Sequence, residues 1–383
     1  MRSVNTVTAN PKQSFYRPEL DALRFVGFLG IFFGHAHGFG VGLFTGIDSR
    51  PILRAFLYIL STSLSAALPL FFLLSAYVIT TLLMREKQRT TTIDIRAFYI
   101  RRMLRLWPLY VCFLAAAFIG TRFVNGDHRV GLFVADLLLV GNFAHLLNLA
   151  IRTPIGIDHL WSISVEEQFY LLFPSTAKYL SHRNLKLVCI LTIVVGIAAL
   201  LFMTNQQPAE TWRNTFTQFI FFAVGVLLGL RYPANGLPRW SSLRRGLTGL
   251  AGILLIVIVR AGDYFGFYVF KHADWVLVPT YVCFAIGLSA IFLSILGIQR
   301  PPHPLIVFMG KITYGLYVFH LLGQQLSANL LKRLPATGFG PSLVRDTVAL
   351  TITIGFAVTS YYVLELPFLK LKDRFTVVRS RPA

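Results

Sequence analysis

The sequence predicts an all-α, polytopic integral membrane protein, on three observations. Hydrophobic residues make up 55% of the chain and charged residues only 14%, against roughly 25% charged in soluble proteins. The mean hydropathy is +0.64. Long apolar segments recur from Leu23 to Phe368, and a helix needs about 20 such residues to cross a bilayer. Dividing the length by a soluble domain size would therefore mislead.

Eleven segments are candidates: 22–43, 56–84, 104–123, 131–150, 159–177, 186–203, 214–230, 246–259, 275–297, 305–331 and 346–367. Eleven crossings would put the termini on opposite sides. Both termini are basic, with Arg2, Lys12 and Arg17 at one end and Lys370, Lys372, Arg374, Arg379 and Arg381 at the other. One segment should therefore not cross. The weakest is 131–150, which carries Asp136, Asn142, His145 and Asn148; it reads as re-entrant or buried within the bundle. Ten transmembrane helices then place 25 of the 36 Lys and Arg on the cytoplasmic side, Arg24 included. That is the positive-inside pattern. The net charge of +20 is thus an orientation signal and calls for no nucleic acid.

The expected organisation is a cytoplasmic N-terminal tail over 1–18, one membrane domain over 19–369, and a basic cytoplasmic C-terminal tail over 370–383. The location is the cytoplasmic (inner) membrane. No cleavable signal is expected, since residues 1–18 are polar and the first apolar run lacks a small-residue cleavage site. Cys112, Cys189 and Cys283 are scattered in apolar segments and read as packing residues. Gly225 and Gly229, and the stripe Gly246, Gly249, Gly252, read as points of close helix approach. The run Gly38, Gly40, Gly42 has no preceding strand and is not a dinucleotide fingerprint.

Ionisable residues inside the apolar segments carry the functional signal. Arg24 and His35 lie in the first one, eleven residues apart. That is about three turns, so both point the same way, about 16 Å apart along the axis. Arg24 can snorkel to water on its own side, whereas His35 sits most of the way across. At 1.5 Å per residue, His35 and Glu166 each fall about 10 Å below the outer edge, and His320 about 22 Å from the inner edge. Three ionisable groups from three helices thus share one level. Each also has a plainer reading: a histidine bonded to a neighbouring carbonyl, or an acid paired with an interior base. His35 and His37 are about 200° apart around a helix and cannot chelate one metal, so no metal site is expected.

A second cluster lies in FYIRRMLRLWPLY. Arg102 and Arg105 share a face at the mouth of the third span, with Arg101 within a turn. Guanidinium groups pair bidentately with phosphate; ordinary positive-inside charge is the alternative. Arg24 sits at the same inner level. A basic cytoplasmic mouth fits a phosphorylated donor, and a deeper histidine fits a general base for an acceptor arriving from outside. A coenzyme A thioester has both parts, phosphates at one end and a long arm bearing the acyl group. Histidine can take the hydroxyl proton and return it to the leaving thiol, and a neighbouring carboxylate would fix its tautomer.

The segments YRPELDALRF…H, FYIRRMLRLWP, HLWSISVEEQFYLLFP, GKITYGLYVFH and YYVLELPF occur in the order found in the membrane acyltransferase-3 family. The chain resembles that family from Tyr16 to about Phe368. The resemblance implies a ten-helix membrane bundle that uses acyl-CoA, with acetyl-CoA expected, to O-acylate acceptors, often cell-surface polysaccharides. Acyl-CoA would be a donor substrate, with no permanently bound cofactor. Some relatives acylate secreted small molecules such as macrolides.

Carried over by residue, the resemblance implies that Arg24 and His35 fill the Arg-x10-His motif, and Arg102 and Arg105 the RxxR motif. His35, Glu166 and His320 are the expected catalytic residues, and Arg24, Arg102 and Arg105 the expected donor-binding ones. Asp21, Trp161, Ser162, Gln168, Tyr170, Tyr317 and Glu365 match further family positions and are expected to support the site. One departure stands out: relatives read like GVDLFFVLSGFLIT where this chain reads ALPLFFLLSAYVIT, so Pro69 replaces an acid and Ala76 a glycine. The fused extracytoplasmic hydrolase-like domain of some relatives is expected to be absent, since fifteen residues follow Phe368. A proton-coupled transporter is the alternative class, because such carriers also bury His, Glu and Arg. No inverted repeat supports it, and the ordered motifs favour the enzyme.

The charge count makes a topological prediction. With the native cysteines replaced, single cysteines at Gln88 and Ser241 should resist an impermeant thiol reagent in intact cells. Cysteines at Gln207 and Thr337 should react. Labelling of Ser241→Cys from outside would refute the ten-span count.

Overall fold

The computed structural model describes residues 16–37, 51–124, 130–144, 146–147, 149, 156–203, 208–233, 236–265, 277–335, 339–376 and 378. The run Gly38, Gly40, Gly42, together with His145, Asn148, Gln207 and Thr337, lies outside these. Among the described residues the chain is helical and has no strand.

The first helix, α1 (Pro18–Ala36), starts ahead of the apolar run. Pro18 needs no N–H partner there, and Glu19 and Asp21 occupy the first turn, where the helix dipole favours them. Both acids are buried: Glu19 accepts from the Gly297 amide at 3.1 Å, and Asp21 pairs with Arg24 at 2.9 Å. The expected second segment is α2 (Pro51–Ser63) running through a short 3₁₀ turn into α3 (Ala67–Thr90). Pro69 falls in the first turn of α3, where the amides have no partner within the helix.

Then follow α4 (Ile95–Val124), α5 (Gly131–Leu137), α6 (Trp161–Tyr179), α7 (His182–Phe202), α8 (Pro208–Arg213) and α9 (Thr215–Arg231). After them come α10 (Ser242–Phe265), α11 (Leu277–Ile295), α12 (Pro304–Lys311), α13 (Thr313–Leu330), α14 (Phe339–Ser360) and α15 (Leu366–Lys372). A π turn over Tyr361–Glu365 joins the last two.

Among the described residues, six helical stretches are long and apolar enough to cross a membrane, or seven if α12 and α13, bent by 75°, form one span. The structure thus supports a multi-pass membrane protein without fixing the count at ten. Three expected spans fall short for visible reasons. α1 and α6 each carry three charged residues, and α9 has only 17 residues. Segment 131–150 contains the seven-residue α5 and a 3₁₀ turn over Gly141–Phe143, too short to cross. It is tied in by amides. Gln168 Nε2 donates to Asn142 Oδ1 at 3.0 Å and to the Leu139 carbonyl at 2.8 Å. Thr215 Oγ1 donates to Gln168 Oε1 at 2.6 Å. Polar residues that argued against a span are thus the hydrogen bonds that seat the segment on α6 and α9.

Gly225, Gly229, Gly249 and Gly252 mark close helix approach, whereas Gly246 faces open space. A Cβ on Gly225 of α9 would overlap the Leu73 carbonyl oxygen of α3. One on Gly252 of α10 would sit 2.5 Å from the Gly287 carbonyl oxygen of α11. α10 is 24 residues long, longer at both ends than its expected 246–259. Gly225→Ala should force α3 and α9 apart and cost about 1–3 kcal/mol. Gly246→Ala meets nothing within 4 Å and should be neutral or slightly stabilising. Thermal unfolding of the detergent-purified variants checks the pair.

Candidate active site

Three histidines from three elements meet. His35 closes the last turn of α1, His320 lies fully buried in α13, and His159 sits on the 3₁₀ turn Asp158–Leu160 that leads into α6. The His320 ring lies 4.9 Å from that of His35 and 4.8 Å from that of His159, centre to centre. His320 Nδ1 is 2.6 Å from the Tyr317 carbonyl oxygen. A carbonyl only accepts, so Nδ1 carries the hydrogen and Nε2 of a neutral ring the lone pair. That Nε2 is 3.4 Å from His35 Nδ1, which is also 3.0 Å from the Ile31 carbonyl oxygen. Both neighbours of His35 Nδ1 are acceptors, which sets the hydrogen there and the lone pair on Nε2. Beside the cluster, the hydroxyls of Ser162 and Tyr317 meet each other. They also lie 3.0 and 2.8 Å from the His159 carbonyl oxygen.

The second group centres on Arg102 of α4. Its Nε donates to Glu167 Oε1 at 2.9 Å, and its Nη2 lies 3.3 Å from Glu166 Oε1. Its guanidinium stacks on the Tyr170 ring at 3.5 Å. Glu166 also accepts from Ser75 Oγ at 2.6 Å and from the Tyr170 hydroxyl at 2.5 Å. One cation thus faces two carboxylates, all on α4 and α6, with a third helix contributing Ser75.

A cavity runs from the Arg102 group to Ser162 and Tyr317, the two hydroxyls beside the histidines, without a histidine among its described lining residues. It measures about 800 Å³, open mouth included, and is lined by Arg24, Ser75, Arg102, Arg105, Glu166 and, toward the histidines, Ser162 and Tyr317. A second chamber of about 700 Å³, likewise open, shares Ile79, Arg102 and Arg105 with it.

The sequence model of the acyltransferase-3 family, described as an acyltransferase domain, matches residues 17–362. The chain belongs to the acyltransferase-3 family. It is 27% identical to the O-acetyltransferase OatA of Staphylococcus aureus over 331 residues, covering 80% of this chain and 50% of that protein. It is 24% identical to the Staphylococcus aureus protein named "Putative O-acetyltransferase SAS0844" over 386 residues, covering 94% of this chain and 58% of that one. The chain thus spans between half and three-fifths of the length of these curated relatives. No solved structure matches it.

The acyltransferase-3 motifs fall into these two groups, but not as depth alone predicted. His35 and His320 meet, whereas Glu166 joins Arg102. The linear count placed Arg102 at the cytoplasmic mouth and Glu166 near the outer edge. It took the third span from residue 104, whereas α4 begins at Ile95. Arg102 is therefore seven residues, or about 10 Å, inside its helix. The carboxylate expected beside histidine is replaced there by a second imidazole. Asp21 pairs with Arg24 at the start of α1. Trp161 is buried beside a small cavity with Asp136, Asp158 and Arg213. Gln168 serves the amide tie described above, and Glu365 accepts from Ser360 Oγ at 3.1 Å in the π turn. His37 leaves the cluster and pairs with Asp346 at 2.9 Å.

Sequence reasoning missed His159 and Glu167. His159 was taken as the start of a span. Glu167 was overlooked beside Glu166, although two adjacent acids in an apolar helix already signal a buried cation. Arg102→Ala should leave both carboxylates uncompensated and cost about 3–5 kcal/mol, seen as lost folded protein on gel filtration in detergent. Adding Glu166→Gln and Glu167→Gln should recover much of that loss. Equal folded yields for all variants would show that the cluster is not structural.

Proposed function

We propose that this protein is a membrane O-acyltransferase that moves an acyl group, expected to be acetyl, from cytoplasmic acyl-CoA to a hydroxyl of an extracytoplasmic glycan. The observation that carries the reading is the continuous cavity from Arg102 and Arg105 to Ser162 and Tyr317, beside the His35–His320 pair. The names of the relatives support transfer to oxygen. The donor's phosphates would lie among the arginines, where charge-assisted bonds are strongest, and its thioester near Ser162. Arg24 is assigned to the same donor channel.

In this reading His35 Nε2 takes the acceptor's hydroxyl proton as that oxygen attacks the thioester carbon. The carbon–sulfur bond then breaks, and the proton passes to the leaving thiolate. His320 holds His35 in the required tautomer. Glu166, with Glu167, holds Arg102 rather than the imidazole. Ten spans with both termini cytoplasmic, in the inner membrane, complete the proposal. Under this topology the cavity's arginine end faces the donor's compartment. A small secreted molecule remains the alternative acceptor.

His35→Ala should lower acyl transfer from labelled acetyl-CoA by at least about 100-fold while membrane insertion stays near wild type. Turnover like wild type in that variant would refute the mechanism. Identical turnover in His320→Ala and wild type would refute the tautomer role of His320.

A further inference from the structure

The second chamber has an unexpected third wall. Two walls come from α3 and α4. The third comes from Lys372, Asp373, Thr376 and Val378, at the very end of the described chain. A solvated basic tail would have no reason to be held there, yet this one is clamped. Glu86 of α3 is buried. Its Oε1 accepts from the Asp94 amide at 2.9 Å, and its Oε2 from Arg101 Nη2 at 3.1 Å. Arg101 Nη1 in turn donates to the Phe375 carbonyl oxygen at 2.6 Å. Thr376 Oγ1 donates back to the Lys372 carbonyl oxygen at 3.1 Å. Val378 is 7% exposed and packs with the main core cluster. The segment is therefore held at Phe375 by the clamp and at Val378 by packing.

The clamp brings a fourth cation to a chamber that already holds Arg101, Arg102 and Arg105. Lys372 lines the cavity beside Asp373, 3.8 Å away, and Arg101 is engaged by the clamp itself. The chamber adjoins the one that ends at Ser162 and Tyr317, sharing Ile79, Arg102 and Arg105. Its lining holds four cations against two acids, Glu86 and Asp373, an excess that suits a phosphate group, and its place in the sequence of chambers suits the end of the donor farthest from the thioester. Lys presents a compact point charge to phosphate.

We propose that Lys372, Asp373, Thr376 and Val378 form a wall of the subsite for the phosphorylated nucleotide end of the donor, with Lys372 contacting phosphate there. The Glu86–Arg101–Phe375 clamp is the positioning device. This rests on the donor assignment of the preceding subsection.

The test compares acetyl-CoA, acetyl-dephospho-CoA and acetyl-pantetheine as donors for the full-length protein in liposomes. Lys372→Ala should raise KM for acetyl-CoA about tenfold, with kcat within about twofold. The shift in KM should shrink in the order acetyl-CoA, acetyl-dephospho-CoA, acetyl-pantetheine. Lys372→Arg should restore most of it. Lys370→Ala removes the same charge from the same helix outside the chamber and should change nothing. Independently, Thr376→Cys, in a background without the native cysteines, should be protected from maleimide in open membranes by acetyl-CoA but not by acetyl-pantetheine. Equal effects of Lys372→Ala and Lys370→Ala, or equal shifts with all three donors, would overturn the inference alone. Failure of the wild-type protein to bind or use acetyl-CoA would overturn the donor assignment as well.

Discussion

One buried cation organises the interior. Arg102 presents two nitrogens to Glu166 and Glu167 and its flat face to Tyr170. An isolated charge in hydrocarbon is expensive, and a pair is tolerable only when its geometry is good and its remaining bonds are filled. Here they are filled by Ser75 and by the Tyr170 hydroxyl. This fixes α3, α4 and α6 relative to one another at the level where the two chambers meet. Without it neither the polar cavity nor the contact between α4 and α6 would be stable in a membrane.

The histidine cluster obeys a different constraint. Main-chain carbonyls orient its rings: Ile31 for His35 and Tyr317 for His320. Both are helical carbonyls within four residues of the ring they hold. Each ring is thus anchored by its own helix, and helix packing sets the distance between rings. α1 meets α12 closely, since a Cβ on Gly310 would overlap the Asp21 backbone. The bend between α12 and α13 then sets the course of the helix that carries His320 past α1.

The helical class, most segments and the broken, polar character of 131–150 were legible in the sequence, because hydrophobic runs and misplaced polar residues report burial directly. The glycine contacts were legible for the same reason, as small residues recurring at helical spacing. The partners of Glu166 were not. Depth along a helix depends on where that helix begins, and α4 begins nine residues before its apolar run does. Charged first turns such as 95–102 look like loop to a hydropathy count, although a bundle can bury them when acids wait on a neighbour. Glu365 was also opaque: its position in a π turn depends on local backbone geometry that no side-chain pattern announces.

The contrast between helices has an evolutionary consequence. Only 17% of the apolar window of α10 and 22% of that of α7 is buried, against 56% of that spanning α2 and α3. Most side chains on the first two face outward, where any residue of sufficient hydrophobicity serves. Substitutions there should drift almost freely among Leu, Ile, Val and Phe, while Gly196 of α7, which faces α9, and Gly252 of α10, which faces α11, stay under steric selection. A bundle of this kind can lose most of its sequence identity from its periphery and still hold its interior in register. Identities near one residue in four, spread over most of the chain, are then compatible with one common architecture.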